Sequence, residues 1–244
     1  MTQQQIYLSV VIASYNSAEA LQKNLSVLTS FLSQCDFSSE IIIVDDGSND
    51  QGLTAHVAEE NQCKYIRQDS NKGKGAAIRL GMMSAKGNYR IFTDADIPYK
   101  PEVIATFLHY LDFKEFDMVV GDRTLENSKY FSEITISRNL GSKIFSFIVG
   151  RFITGGQFDT QCGIKGFRAN VANDLFSVAT IDGFALDVEL FYIAFKRNYD
   201  IKCIPVELRS NDGNSVNVVV HGIKMLFDLP KIIINYYTNK YNKK

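Results

Sequence analysis

The sequence predicts an α/β protein with a mostly parallel central sheet covered by helices on both faces. Two observations carry that expectation. Short apolar runs of strand length alternate with segments of helical periodicity through the first half of the chain, the order of repeated strand–helix–strand units. Three of those runs end in carboxylates, at 45–46, 94–96 and 122, and ligands of parallel sheets bind beyond the carboxyl ends of strands. With 244 residues, 45% of them apolar, the chain can bury one large core.

The elements follow in order. "YLSVVIAS" (7–14) reads as a buried strand, and Ser17 is placed to cap a helix with the apolar stripe Leu21, Leu25, Leu28 and Leu32. "EIIIVDDGS" (40–48) is a second strand ended by turn formers, followed by a short helix near 51–60 and the strand "KYIRQ" (64–68). A helix over 74–85 leads into "YRIFTDAD" (89–96), and a helix over 101–111 into "DMVVGDR" (117–123). Beyond that the pattern is less regular: helices are expected over 134–150, 168–178 and 185–197, and a late strand in "DIKCIPVEL" (200–208). No linker, low-complexity tract or internal repeat interrupts the chain. One domain over 1–220 is expected, with halves at about 6–123 and 124–216 and a basic tail at 221–244.

Composition excludes several classes. A formal charge of −1 does not mark a nucleic-acid binder. Cys35, Cys63, Cys162 and Cys203 are scattered without a C-x-x-C, which argues against zinc and for reduced thiols. The first residues lack a signal-peptide pattern and no window is apolar enough to span a bilayer, so a cytoplasmic protein, peripheral on a membrane at most, is expected. The tail carries five Lys against one Asp among Ile, Leu, Phe and Tyr, which suits either an anionic membrane surface or a core-packing terminal helix. Pro230 falls inside that helix.

Three motifs carry chemistry. Asp45 and Asp46 in "VDDGSND" either shape a turn or offer a carboxylate to a base or ribose. "NKGKGAAIRLG" (71–81) opens a helix, where free backbone amides with Lys72 and Lys74 favour a phosphate. Asp94 and Asp96 would point to one side of a strand end, an unfavourable pair that suits Mg²⁺ or Mn²⁺ between them.

The order of these motifs, with "VVIASYN" ahead of them, resembles the inverting nucleotide-sugar glycosyltransferases of family 2, which have the GT-A fold. "GDR" (121–123), "SRNLGSKIF" (137–145), "DTQCGIKGFR" (159–168) and "GFALDVELFYIA" (183–194) are similar to the branch containing dolichyl-phosphate β-glucosyltransferase and dolichol-phosphate mannose synthase, leaning toward the glucosyl enzyme. The resemblance covers about residues 6–216. It departs at Ala13, where the family has Pro, and at Pro98, where mannose synthases carry a metal-holding Gln.

The resemblance implies a hexose, with glucose favoured, moved from a UDP-sugar to a polyprenyl or dolichyl phosphate at a membrane surface, with Mg²⁺ or Mn²⁺ as cofactor. The alternative acceptor is a glycan or lipid-linked sugar hydroxyl in cell-surface polysaccharide synthesis. The resemblance places Ala13, Tyr15, Asp46, Lys74, Asp94 and Arg209 at the donor, with Asp46 reading the base and Ser215 following Arg209 in a loop over the donor. Asp94 and Asp96 would hold the metal, and Arg123 and Arg138 would cradle acceptor phosphate. Asp187 would act as base or acceptor-orienting group, and Asp159 and Gln161 would shape the acceptor loop. Asp187 and Glu189, two acids on an apolar helix, are expected to line the site, while Lys165 reads as a phosphate partner or a surface charge.

Overall fold

The structure is a computed structural model that describes residues 5–129, 150, 159–209 and 218–242. Seven strands among them form one sheet: β1 (Leu8–Ser14), β2 (Ser39–Asp45), β3 (Lys64–Arg67), β4 (Tyr89–Asp94), β5 (Met118–Asp122), β6 (Lys165–Arg168) and β7 (Ile201–Pro205). The spatial order is β3-β2-β1-β4-β6-β5-β7. All neighbours are parallel except β6, which runs antiparallel to both β4 and β5. The α/β class and the mostly parallel sheet are as expected from the sequence.

Period-two alternation decides which core each side chain joins. Val11, Ile42, Val44 and Phe92 point to one face, and Val10, Ile12, Ile41, Ile43 and Ile91 to the other. The second face is covered by α1 (Ala18–Ser33), α2 (Leu53–Glu60) and α4 (Val103–Leu108), with Leu21, Leu25, Leu28 and Leu32 of α1 buried as their spacing requires. The first is covered by α3 (Lys74–Ser84), α5 (Ala169–Val178), α6 (Leu186–Lys196) and α7 (Val218–Tyr237). Met225, Leu229 and Ile232 of α7 are buried in that core, and a short 3₁₀ turn, Lys240–Asn242, closes the described chain.

Several local expectations change. Ser17 does not cap α1: its hydroxyl donates back to the Tyr15 carbonyl at 2.9 Å, forming a turn instead. The helix expected over 101–111 is α4 continuing into a π-helical turn, His109–Phe113. The last strand ends at Pro205, and only isolated bridges at Glu207 and Leu208 continue it. β6 has no counterpart among the elements expected from the sequence. "KGFR" is four residues long with a lysine inside it, and no alternation marks it as a strand. The helix expected over 134–150, Arg138 and Ser215 lie outside the described residues except for residue 150, which is helical.

Candidate active site

The tips of β1, β2, β4 and β5 bring most of the expected residues to one edge of the sheet. Ala13 pairs in register with Val44 and Asp94, so the ends of β1, β2 and β4 stand side by side. Beyond β1, Tyr15 is exposed, and Asn16 ties its loop to the tip of β2: its amide donates to Ser48 Oγ and its Oδ1 accepts from the Asn49 amide, each at 2.8 Å.

At β2 the two carboxylates divide their work. Asp45 accepts from the Ser48 amide at 2.8 Å and Tyr65 Oη at 2.7 Å and pairs with Arg67, an Asx turn locked from β3. Burial opposes its charge, but these bonds win and hold its carboxyl below the usual range. An open cavity of about 570 Å³ lies beside it, bounded by Ser48, Gly52, Tyr65 and Arg67. Asp46 is buried and accepts from Gln68 Nε2 at 2.7 Å and from the Lys72 and Gly73 amides at 2.8 Å each. It therefore seats the glycine-rich loop, a role the sequence did not suggest. The expected phosphate cradle of free amides at the head of α3 changes accordingly. Lys72 and Gly73 spend their amides on Asp46, and the Ala76 amide donates to the Asp182 carbonyl at 3.1 Å. The side chain of Lys74 is the positive group that this motif presents to the site.

Asp94 acts on Asp96 through its charge, but strand alternation does not bring the two together. β4 stops at Asp94, and a turn closed by the Ile97 amide on the Asp94 carbonyl at 3.0 Å brings Asp96 round. Ile97 adopts φ 45°, a left-handed conformation costly for a β-branched residue, of the sort that clusters at functional sites. Burial, then the neighbouring Asp94 charge, pushes the Asp96 carboxyl up to about 6. Asp94 is paired with Lys74. Burial depresses the Lys74 ammonium, but Asp94, Asp187 and Asp96 outweigh it and the group stays above its ordinary value. Gly163 abuts the same carboxylate, since a Cβ there would lie 2.1 Å from Asp94 Oδ2. Two hard-oxygen carboxylates, with Asp96 disfavoured as an anion by burial and by the charge of Asp94, suit Mg²⁺ or Mn²⁺. Pro98 offers no third ligand, so diphosphate and water oxygens would complete such a shell.

Asp187, in the first turn of α6, has its Oδ1 2.6 Å from Lys165 Nζ, although the approach lacks hydrogen-bond angles. Lys165 is fully buried, donates to the Cys162 carbonyl at 2.8 Å and lies 5.4 Å from the Phe92 ring centre. It is not a surface charge. On the face of β6 that α6 covers, it neutralises Asp187. Glu189 is no site residue either: it accepts from the Thr180 and Ile181 amides and from Tyr241 Oη, and so serves structure.

Arg123 and Asp159 form a fork at the tip of β5. The Arg123 amide, Nε and Nη2 donate to the Asp159 carboxylate at 2.7, 2.9 and 2.6 Å. Burial raises Asp159, but the fork overrides it and holds the carboxyl low. Gln161 keeps a buried Nε2 without a hydrogen-bond partner. Arg209 donates from Nη2 to Asn24 of α1, and its charge reaches Asp96. Asn24 was missed because one polar residue within a leucine stripe reads as helix filler.

A sheet of this order, with a carboxylate pair at the β4 tip and lysines set against its acids, is that of a glycosyltransferase with the GT-A fold. The glycosyl transferase family 2 model matches residues 9–176, and the chain belongs to that family of glycosyltransferases. It is 30% identical to the dolichyl-phosphate beta-glucosyltransferase of Dictyostelium discoideum over 95% of this chain and 75% of that protein. It is 32% identical to the Homo sapiens enzyme of the same name over 95% and 76%. Glucosyl-3-phosphoglycerate synthase from Mycobacterium tuberculosis, solved with Mn²⁺, UDP and glucosyl-3-phosphoglycerate, has the same fold at a TM-score of 0.68. The two share 18% identity over 93% of this chain and 80% of that one.

Proposed function

We propose that this enzyme transfers glucose with inversion from UDP-glucose to a polyprenyl phosphate of the dolichyl type at a bilayer surface. The relatives' names point to that acceptor. The observation that carries the reading is the buried Lys165–Asp187 pair. Asp187 is the acid best placed to serve as a base, yet it is committed to neutralising a fully buried ammonium. A sugar hydroxyl must lose a proton as it attacks, whereas a phosphomonoester, with a second pKa near ~6, is already an anion. It needs placing and charge compensation, not deprotonation.

Asp94 and Asp96 would hold a divalent cation, which supplies Lewis-acid stabilisation of charge on the departing nucleoside diphosphate. Lys74 adds a positive charge beside them, and Arg209, fixed by Asn24, adds another near Asp96. Tyr15 and the cavity at the β2 and β3 tips are assigned to the nucleoside end, with Asp46 acting there through the glycine-rich loop it seats. Arg123 presents a planar guanidinium to the acceptor phosphate, oriented by Asp159, and the family resemblance assigns Gln161 and Arg138 to the same acceptor.

The bilayer contact falls to α7. None of the described helices is long and apolar enough to cross a membrane. Opposite its buried residues α7 exposes Phe227 (79%), Ile234 (57%) and Tyr237 (75%), with Lys224 and Lys231 exposed beside them. An apolar stripe edged by lysines matches the interface of an anionic leaflet.

The test incubates the enzyme with labelled UDP-glucose, Mn²⁺ and polyprenyl phosphate in anionic vesicles. Label is expected in the organic phase and should disappear, reversibly, with EDTA. Full transfer in EDTA would remove the cation, and label passing only to lipid-linked sugars would move the acceptor to a hydroxyl. Phe227→Asp with Ile234→Asp should release the protein from the vesicles.

A further inference from the structure

The loop between α5 and α6, residues 179–185, is gripped from two sides. On one side lies Glu189, fully buried, which accepts from the Thr180 amide at 3.0 Å, Thr180 Oγ1 at 2.8 Å and the Ile181 amide at 2.8 Å. Two residues from the end of the described chain complete this network. Tyr241 Oη donates to Glu189 Oε1 at 2.7 Å, and Asn235 Nδ2 donates to Thr180 Oγ1 at 2.8 Å. Both side chains are buried, and Arg197 Nη2 fixes the Tyr241 carbonyl at 2.6 Å.

On the other side the loop meets the head of α3. The Asp182 carbonyl accepts from the Ala76 amide at 3.1 Å, and the Ile181 carbonyl from Arg79 Nη1 at 3.2 Å. Gly73 and Gly75 allow this approach: a Cβ at either would come within 2.4 and 2.7 Å of loop carbonyls. Phe184, in the same loop, has its ring centre 5.6 Å from Lys74 Nζ, the ammonium paired with Asp94.

We infer that Tyr241 and Asn235 are positioning residues of the donor site, clamping through Glu189 and Thr180 the loop that seats Lys74. Both lie beyond the stretch matched by the family model, which ends at residue 176. A hydroxyl in the turn after α7 thus sets the placement of a lysine at the head of α3, far away in sequence. The donor part rests on the reading of Lys74 under the proposed function.

Tyr241→Phe keeps the ring and removes one hydrogen bond, so the fold should survive. Amide exchange at Thr180, Ile181 and Ala76 should accelerate, and UDP with Mn²⁺ should bind roughly 3- to 10-fold more weakly, the scale of one hydrogen bond. The acceptor KM should not change. Asn242→Ala, an exposed neighbour bonded only to Asn239, should leave all of these as in wild type. If faster exchange in Tyr241→Phe stops at α7 and the terminal turn, with Ala76 and UDP affinity unchanged, Tyr241 only anchors the tail and the inference is overturned. Lys74→Ala separates the two layers. Unchanged UDP affinity there would overturn the donor role, while exchange at Ala76 still reports whether the clamp exists.

Discussion

At the scale of single residues, charge placement governs what each side chain can do. Asp96 has a folded pKa of about 6, above its ordinary value. A raised acid stabilises the fold below its unfolded pKa, and that contribution is lost as pH rises through the folded one. In EDTA, the Asp96 contribution should therefore fall between pH 4 and 6 by on the order of 1–3 kcal/mol. It is read as the stability of wild type minus that of Asp96→Asn, because Asp45, Asp112 and Asp159, held low, contribute with the opposite sign. Thermal melts across pH, with and without Mn²⁺, read this directly, because a cation should restore stability near pH 7. The same pH dependence in wild type and Asp96→Asn would show that neither burial nor Asp94 raises the Asp96 carboxyl. Lys165→Met should destabilise by about 3–5 kcal/mol, since it strands Asp187, while Lys165→Met with Asp187→Asn should recover most of the loss. Equal losses in urea unfolding of both proteins would mean the pair is not coupled. The carboxylates at the β4 tip were legible because acids ending an apolar run are conspicuous. Lys165 and Glu189 were not, because a buried charge is explained only by a partner that the fold brings from elsewhere.

Elements set these placements through backbone contacts. The parallel half of the sheet was legible from its apolar runs, whereas the faces that Val11 and Ile12 occupy come from the structure. β6 escaped because its pairing with β4 and β5 is tertiary, and no local pattern announces an antiparallel strand of four residues. Yet β6 carries Lys165, and the turn before it carries Gly163 against Asp94. Gly163→Ala should thus cost more in function than in folding. A methyl 2.1 Å from Asp94 Oδ2 must displace that carboxylate or the turn. Calorimetry should show Mn²⁺–UDP affinity falling at least tenfold, roughly the 1.4 kcal/mol of a displaced ligand, with a smaller shift in melting. Wild-type affinity in Gly163→Ala would mean that Asp94 holds no metal. The glycine-rich loop teaches a complementary point. Its composition suggested free amides, but Asp46 and the Asp182 carbonyl use them, so packing redirected a motif that local chemistry alone could not resolve.

For the whole molecule, the account joins a donor edge at the tips of β1, β2 and β4 to an acceptor edge at β5 and β6, with Asp187 paired between them. Its central claim is that the acceptor arrives as an anion and that no side chain takes a proton from it. Asp187→Asn alone is a poor probe, because it leaves Lys165 buried without its counter-charge. The neutral double variant, Lys165→Met with Asp187→Asn, removes the carboxylate without that penalty. The most direct measurement is transfer of labelled glucose from UDP-glucose to polyprenyl phosphate by this variant beside wild type. The account predicts turnover within about tenfold of wild type, against the 10²–10⁴-fold loss that removing a general base costs. A folded double variant with normal UDP affinity and transfer reduced a thousandfold would contradict it, and would make Asp187 the base.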